Sequence, residues 1–138
     1  AEASNLLNKQ SGMLGVTKIS SDMREIEAAV KAGNPRAIMA TKMYTYRIKK
    51  YIGAYAAAMG GVDIICFTAG VGEHQWDIRE AACEGLEYMG VKFDKEKNMR
   101  NNGEEEIISA GDSAVTIAVV PTDEELLIAK DTLELVVK

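Results

Sequence analysis

With 138 residues, 47% of them hydrophobic, the chain can bury one core and is most simply a single domain. A net charge of -5 and a pI near 5.0 count against a nucleic-acid surface, which needs a basic face to neutralise phosphates. No run reaches the roughly 20 apolar residues of a membrane span, and the opening Ala1-Glu2-Ala3-Ser4 lacks a signal-peptide pattern, so a cytoplasmic home is the default expectation. Cys66 and Cys83 have no second thiol at metal-site spacing and read as small core residues of a reducing compartment. The chain lacks an initiator Met and opens in mid-pattern, which reads as a fragment of something longer.

In chain order, Leu6 to Gly12 reads as the end of a short helix stopped by Gly12, followed by an irregular link through Leu14-Gly15-Val16. Ser21 or Asp22 caps the next helix, with Glu25 three residues beyond Asp22 in a capping-box pattern, and the helix ends at Gly33. Asn34-Pro35 is a cap followed by a first-turn proline, and predicts a long helix from Pro35 to Met59. Tyr44, Ile48, Tyr51, Tyr55 and Ala58 form its apolar stripe, suited to a core or an interface. The small side chains from Ala54 to Met59 permit close approach to a sheet or to a second copy of the chain.

Val62 to Phe67 predicts a strand buried on both faces, because its apolar run has almost no polar alternation. It breaks into the turn Thr68-Ala69-Gly70-Val71-Gly72-Glu73 and then a helix over Trp76 to Tyr88, closed by Gly90. Asp94 to Gly103 is a short helix or turn running into a loop. Glu106 to Ser109 and Ala114 to Val120 are β-rich segments around the turn at Gly111-Asp112. Pro121 ends the second, and Thr122 or Asp123 caps a last helix over Glu124 to Val136.

A strand, glycine turn and helix in succession place unpaired backbone N–H groups beyond a strand's carboxyl end, where α/β sheets bind ligands and phosphate is the natural guest. A side chain at Gly70 or Gly72 would hold the backbone away from such a ligand, and either position can demand positive φ. The turn is not the dinucleotide fingerprint, since Gln75 stands where a third glycine would fall, and no Gly-Lys-Ser/Thr makes it a P-loop. Two further polar clusters lie at helix starts: Ser20-Ser21-Asp22-Met23-Arg24 and Pro121-Thr122-Asp123-Glu124-Glu125. Each has a plain reading beside the functional one. Asp22 is first a cap, Arg24 a solvated or ion-paired cation that could also stack on a ring or bind an anion, and Glu124 an acid favoured by the helix dipole that could also hold magnesium. His74 is the only histidine, so neither a histidine metal cluster nor a Ser-His-Asp triad can form. Asp77, Arg79 and Glu80 read as cap and side-chain-pair residues at a helix start.

Ser11-Gly12-Met13-Leu14-Gly15, Ser20 to Arg24, Tyr51-Ile52-Gly53-Ala54-Tyr55, Phe67 to Glu73, Cys83-Glu84-Gly85-Leu86-Glu87 and Pro121 to Leu126 occur in an order that resembles the carboxyl-terminal part of the acetate/propionate kinase family. The likeness covers nearly the whole chain. It implies an α/β fold, the second half of an actin-like, sugar-kinase-type (ribonuclease H-like) ATPase domain with a mostly parallel sheet covered by helices. Residues 1–138 would then be the single nucleotide-facing domain of a two-domain kinase. The resemblance further implies that Asp22, Met23 and Arg24 border the adenosine of ATP or ADP, that Gly70, Val71, Gly72, Glu73 and His74 pack on the nucleotide, and that Glu124 serves Mg2+. The family usually has Asn where this sequence has His74. Acetate-pocket and phosphoryl-steadying residues belong to other parts of family members, so the fragment alone is expected to be inactive, and homodimerisation is expected through this region. The alternative is a non-catalytic dimerisation or nucleotide-binding module. A cofactor-binding oxidoreductase domain is a weaker candidate, lacking the third glycine and a well-placed acid.

Overall fold

The computed structural model describes residues 2–137. Two short helices, α1 (Glu2–Lys9) and α2 (Gly12–Thr17), open the chain; α2 occupies the stretch that reads from sequence as an irregular link. Helix α3 (Met23–Lys31) starts at Asp22, whose Oδ1 accepts the Arg24 N–H at 2.9 Å. The expected reciprocal bond from Glu25 is replaced: the Asp22 N–H donates to Ser20 Oγ at 3.0 Å.

Helix α4 (Pro35–Met59) has the expected bounds because both ends are written locally. Asn34 Oδ1 accepts the N–H groups of Arg36 and Ala37, and at the other end the Gly61 N–H returns to Ala56 O at 2.9 Å. Its buried line differs from the aromatic stripe. Ala37, Ala40, Thr45 and Ala56 are buried, Ile48 and Ile52 pack on the core, and Tyr51 and Tyr55 lie exposed with ring centroids 6.1 Å apart. Small residues win the buried side because α2, α3 and α6 all press against α4.

Strand β1 (Ile64–Phe67) leads into α5 (Ala69–His74) and α6 (Trp76–Cys83), then a 3-10 turn over Glu87–Met89. The single helix expected over Trp76 to Tyr88 thus stops at Cys83. Gly90 ends the turn at φ +87, where a Cβ would fall 2.7 Å from Ala114 Cβ, so both the backbone and the neighbouring chain require glycine there. Helix α7 (Lys95–Arg100), β2 (Glu106–Ile107), β3 (Thr116–Val119) and α8 (Glu124–Val136) complete the order.

The three strands run β1-β3-β2, with β1 and β3 parallel (Ile65 beside Ile117, Phe67 beside Val119) and β2 antiparallel at the edge. The fold is α/β, a small sheet with helices laid on it. Ile65, Phe67, Ile117 and Val119 point into a core shared with Ala82, Cys83, Leu86 and Val91. The other face departs from expectation: Ile64 and Cys66 are exposed, so β1 alternates within this chain rather than being buried on both sides. Cys83 alone fits the core reading of the two cysteines, and burial pushes its thiol up to about 12. No helix among the described residues is long and apolar enough to cross a membrane.

Candidate functional site at the ends of the parallel strands

Because β1 and β3 run parallel, their carboxyl ends emerge side by side, and the Val120 N–H donates to Phe67 O at 2.9 Å as the last rung. Two of the three polar clusters therefore meet in space: Gly70 to His74 after β1, and Pro121 to Glu124 after β3. The glycine segment is the helical turn α5 rather than an open loop. Positive φ falls on Ala69 (+59) and not on Gly70 or Gly72, a left-handed conformation that costs a non-glycine residue on the order of 1 kcal/mol and is found at functional turns. Gly72 is favoured by close approach: a Cβ there would lie 3.2 Å from the backbone carbon of Phe67, tight enough that the strand end would have to give. Gly70 is exposed and a Cβ on it would meet open space. Val71 is half-buried, and its carbonyl accepts the Gln75 N–H.

Glu73 joins the two turns. Its side chain is buried, and Oε1 accepts both the Thr122 N–H (2.9 Å) and the Thr122 hydroxyl (3.0 Å). The Thr122 N–H is the main reason its carboxyl sits below the usual range of about 4.5; the hydroxyl, the Ala69 N–H and nearby His74 act in the same direction against the cost of burial. His74 Nε2 lies 4.0 Å from Glu73 Oε2. The half-exposed imidazole rests on Gly103, where a Cβ would come within 2.5 Å of the ring.

Arg79 is the residue that sequence reasoning missed. It is 0% exposed, not a surface member of a charge pair, and it faces no carboxylate. Nε donates to Asn98 Oδ1 at 2.7 Å, Nη1 to the carbonyls of Gly72 (2.9 Å) and Glu73 (2.7 Å), and Nη2 to the carbonyls of Asn98 (2.8 Å) and Asn101 (3.1 Å). All its N–H groups are thus matched. The guanidinium closes the carboxyl end of α5, whose orphan carbonyls favour a cation. Asn98 donates in turn to Trp76 O at 2.9 Å. The one sequence signal was spacing: Ile78, Arg79 and Ala82 share the inward side of α6.

The third cluster lies next to the α5–α6 junction. Met23 lines a cavity of about 60 Å³ together with Gln75, Asp77 and Ile78. Asp22 and Arg24 are occupied with each other: Arg24 Nη2 donates to Asp22 Oδ2 at 2.6 Å and Nε donates to the same carboxylate, holding Asp22 at about 2. The Arg24 side chain is 87% exposed. Glu124 stands exposed in the first turn of α8, which Asp123 caps by accepting the Leu126 N–H at 2.9 Å. Among the described residues no cluster of three His, Cys, Asp or Glu could cage a metal. A single exposed carboxylate such as Glu124 is compatible with magnesium, which takes one or two carboxylates and fills its other positions with phosphate oxygens and waters.

Residues 1–130 match the Acetokinase family. The chain belongs to that family. Among acetokinase relatives, the acetate kinase of Phocaeicola vulgatus is 71% identical over 135 residues, covering 98% of this chain and 34% of the relative. The crystal structure of Porphyromonas gingivalis acetate kinase superposes with a TM-score of 0.88 at 58% identity, over 95% of this chain and 33% of that one. A propionate kinase from Francisella tularensis gives a TM-score of 0.82 at 34% identity, over 94% and 33%. The chain therefore spans about a third of the length of the acetokinases it matches.

Proposed function

We propose that this chain is the nucleotide-facing part of a carboxylate kinase that moves a phosphoryl group between ATP and acetate, giving acetyl phosphate and ADP. The observation that carries the reading is the meeting of the Gly70–His74 and Pro121–Glu124 turns at the carboxyl ends of two parallel strands in an acetokinase chain. Exposed backbone at Gly70 can approach a phosphate without a side chain between them. Met23 and the Asp22–Arg24 pair offer an apolar contact and a planar cation to the adenosine, and His74 offers an imidazole N–H where Asn is usual in the family. Glu124 would hold the magnesium that, when bound, offsets charge on the phosphate oxygens.

Phosphoryl transfer needs charge stabilisation from several sides, so the 138 residues by themselves are expected to bind nucleotide weakly and not to catalyse. The same proposal includes a short-chain carboxylate partner, a homodimer and a cytoplasmic location. Calorimetry with ADP tests it. Gly70→Val, whose Cβ would meet open space, should abolish the weak binding; equal binding by both proteins would remove the turn from the site. A second reading, an assembly module, is favoured by the exposed Met43, Tyr46, Tyr51, Tyr55 and Met59 of α4. Sedimentation tests it, and a monomer at high concentration would reject it.

A further inference from the structure

We propose that the Glu73 side chain is a positioning group that fixes the turn carrying Glu124, so that its effect falls on the divalent cation more than on nucleotide affinity. This rests on the nucleotide and magnesium reading above. A carboxylate free to face a polyphosphate would be repelled, and this one is engaged within the chain: Oε1 accepts Thr122 N–H and Oγ1–H across 49 residues of sequence. Its own main chain is held from the other side, because the Glu73 carbonyl accepts Arg79 Nη1 at 2.7 Å. The link is therefore anchored at its Glu73 end.

It is also the last tether before Glu124. The backbone rung from Val120 to Phe67 ends the sheet pairing, the Asp123 cap is local to α8, and α8 has no buried residue. Beyond Thr122 no other hydrogen bond among the described residues ties the start of α8 to the nucleotide turn. Outer-shell groups of this kind orient metal ligands, and their loss typically weakens metal affinity about 10- to 100-fold.

The test uses a chimera in which this chain replaces the matching third of the Phocaeicola vulgatus acetate kinase. Glu73→Ala should raise the apparent magnesium activation constant at saturating nucleotide and acetate about 10- to 100-fold, and alter the Mn2+ EPR spectrum of the ADP complex. Its affinity for ADP in the presence of EDTA should fall by less than the magnesium constant rises, since the backbone of the Gly70–His74 turn stays in place. Thr122→Val, which keeps the N–H and folds with little strain, should give a smaller shift in the same direction. Glu73→Ala combined with Thr122→Val should be no worse than Glu73→Ala alone, because both remove one link. An unchanged magnesium constant in Glu73→Ala, or a loss confined to metal-free ADP binding, overturns the inference while Glu124→Ala still shifts the constant. If Glu124→Ala shifts nothing, the magnesium reading falls and takes this inference with it.

Discussion

The strand-end cluster and helix α8 adjoin in the chain and are held by opposite means. Around the ends of β1 and β3 the buried polar side chains Glu73, Arg79, Asn98 and Asn101 all find hydrogen-bond partners within this chain. On α8 no residue is buried, and Leu127, Ile128, Leu133 and Leu135 lie exposed, Leu135 at 73%. A buried polar group without a partner costs several kcal/mol, which favours pairing throughout such a network, and beside it only Gln75 Oε1 among the described buried side-chain atoms has no partner. An apolar helix carries no comparable obligation, and its uncovered side marks a surface made for contact with something else.

The sharpest way to break this contrast is Arg79→Leu. It strands the carbonyls of Gly72, Glu73, Asn98 and Asn101 and should cost about 3–5 kcal/mol of unfolding free energy in urea titration; a loss under about 1 kcal/mol would mean that water replaces the guanidinium at no penalty. Gly72→Ala comes next, at about 1–2 kcal/mol, because its Cβ meets the Phe67 backbone. Gly70→Ala, in open space, should leave stability unchanged or slightly raised. The pair separates a glycine whose position packing constrains from one whose position it does not.

Acid sharpens the comparison further. The Glu73 carboxyl is held below its ordinary 4.5 by the folded state, so its contribution is complete at neutral pH and is lost as the pH falls below that value through the folded pKa. Denaturation midpoints measured from pH 7 to pH 3 should fall less steeply for Glu73→Gln, which has no proton to take up there. Equal slopes would place the acid sensitivity elsewhere. The smallest effect is expected on α8, where Leu133→Lys should change the stability of this chain by less than about 0.5 kcal/mol; a larger loss would show that the helix packs in solution after all.

How much could be read in advance follows the reach of the forces involved. The sequence by itself determined the bounds of α4 and the start of α8, because the capping side chains at Asn34 and Asp123 and, on α4, a first-turn proline and a glycine after the last turn act within a few residues. It also determined the order of the strands and longer helices, though not the short helices α2 and α5, and, through its motifs, the family. Local chemistry could not say that Arg79 would turn inward, because its acceptors come from α5 and from the Asn98 to Asn101 segment, up to 22 residues away. Nor could it say that Ala69 rather than a glycine would take positive φ, that Tyr51 and Tyr55 would face outward, or that Ile64 and Cys66 would lie open. Those outcomes depend on which surfaces end up against one another. The tie between Glu73 and Thr122 was likewise decided only by tertiary structure, once two distant strands paired in parallel and brought their ends together.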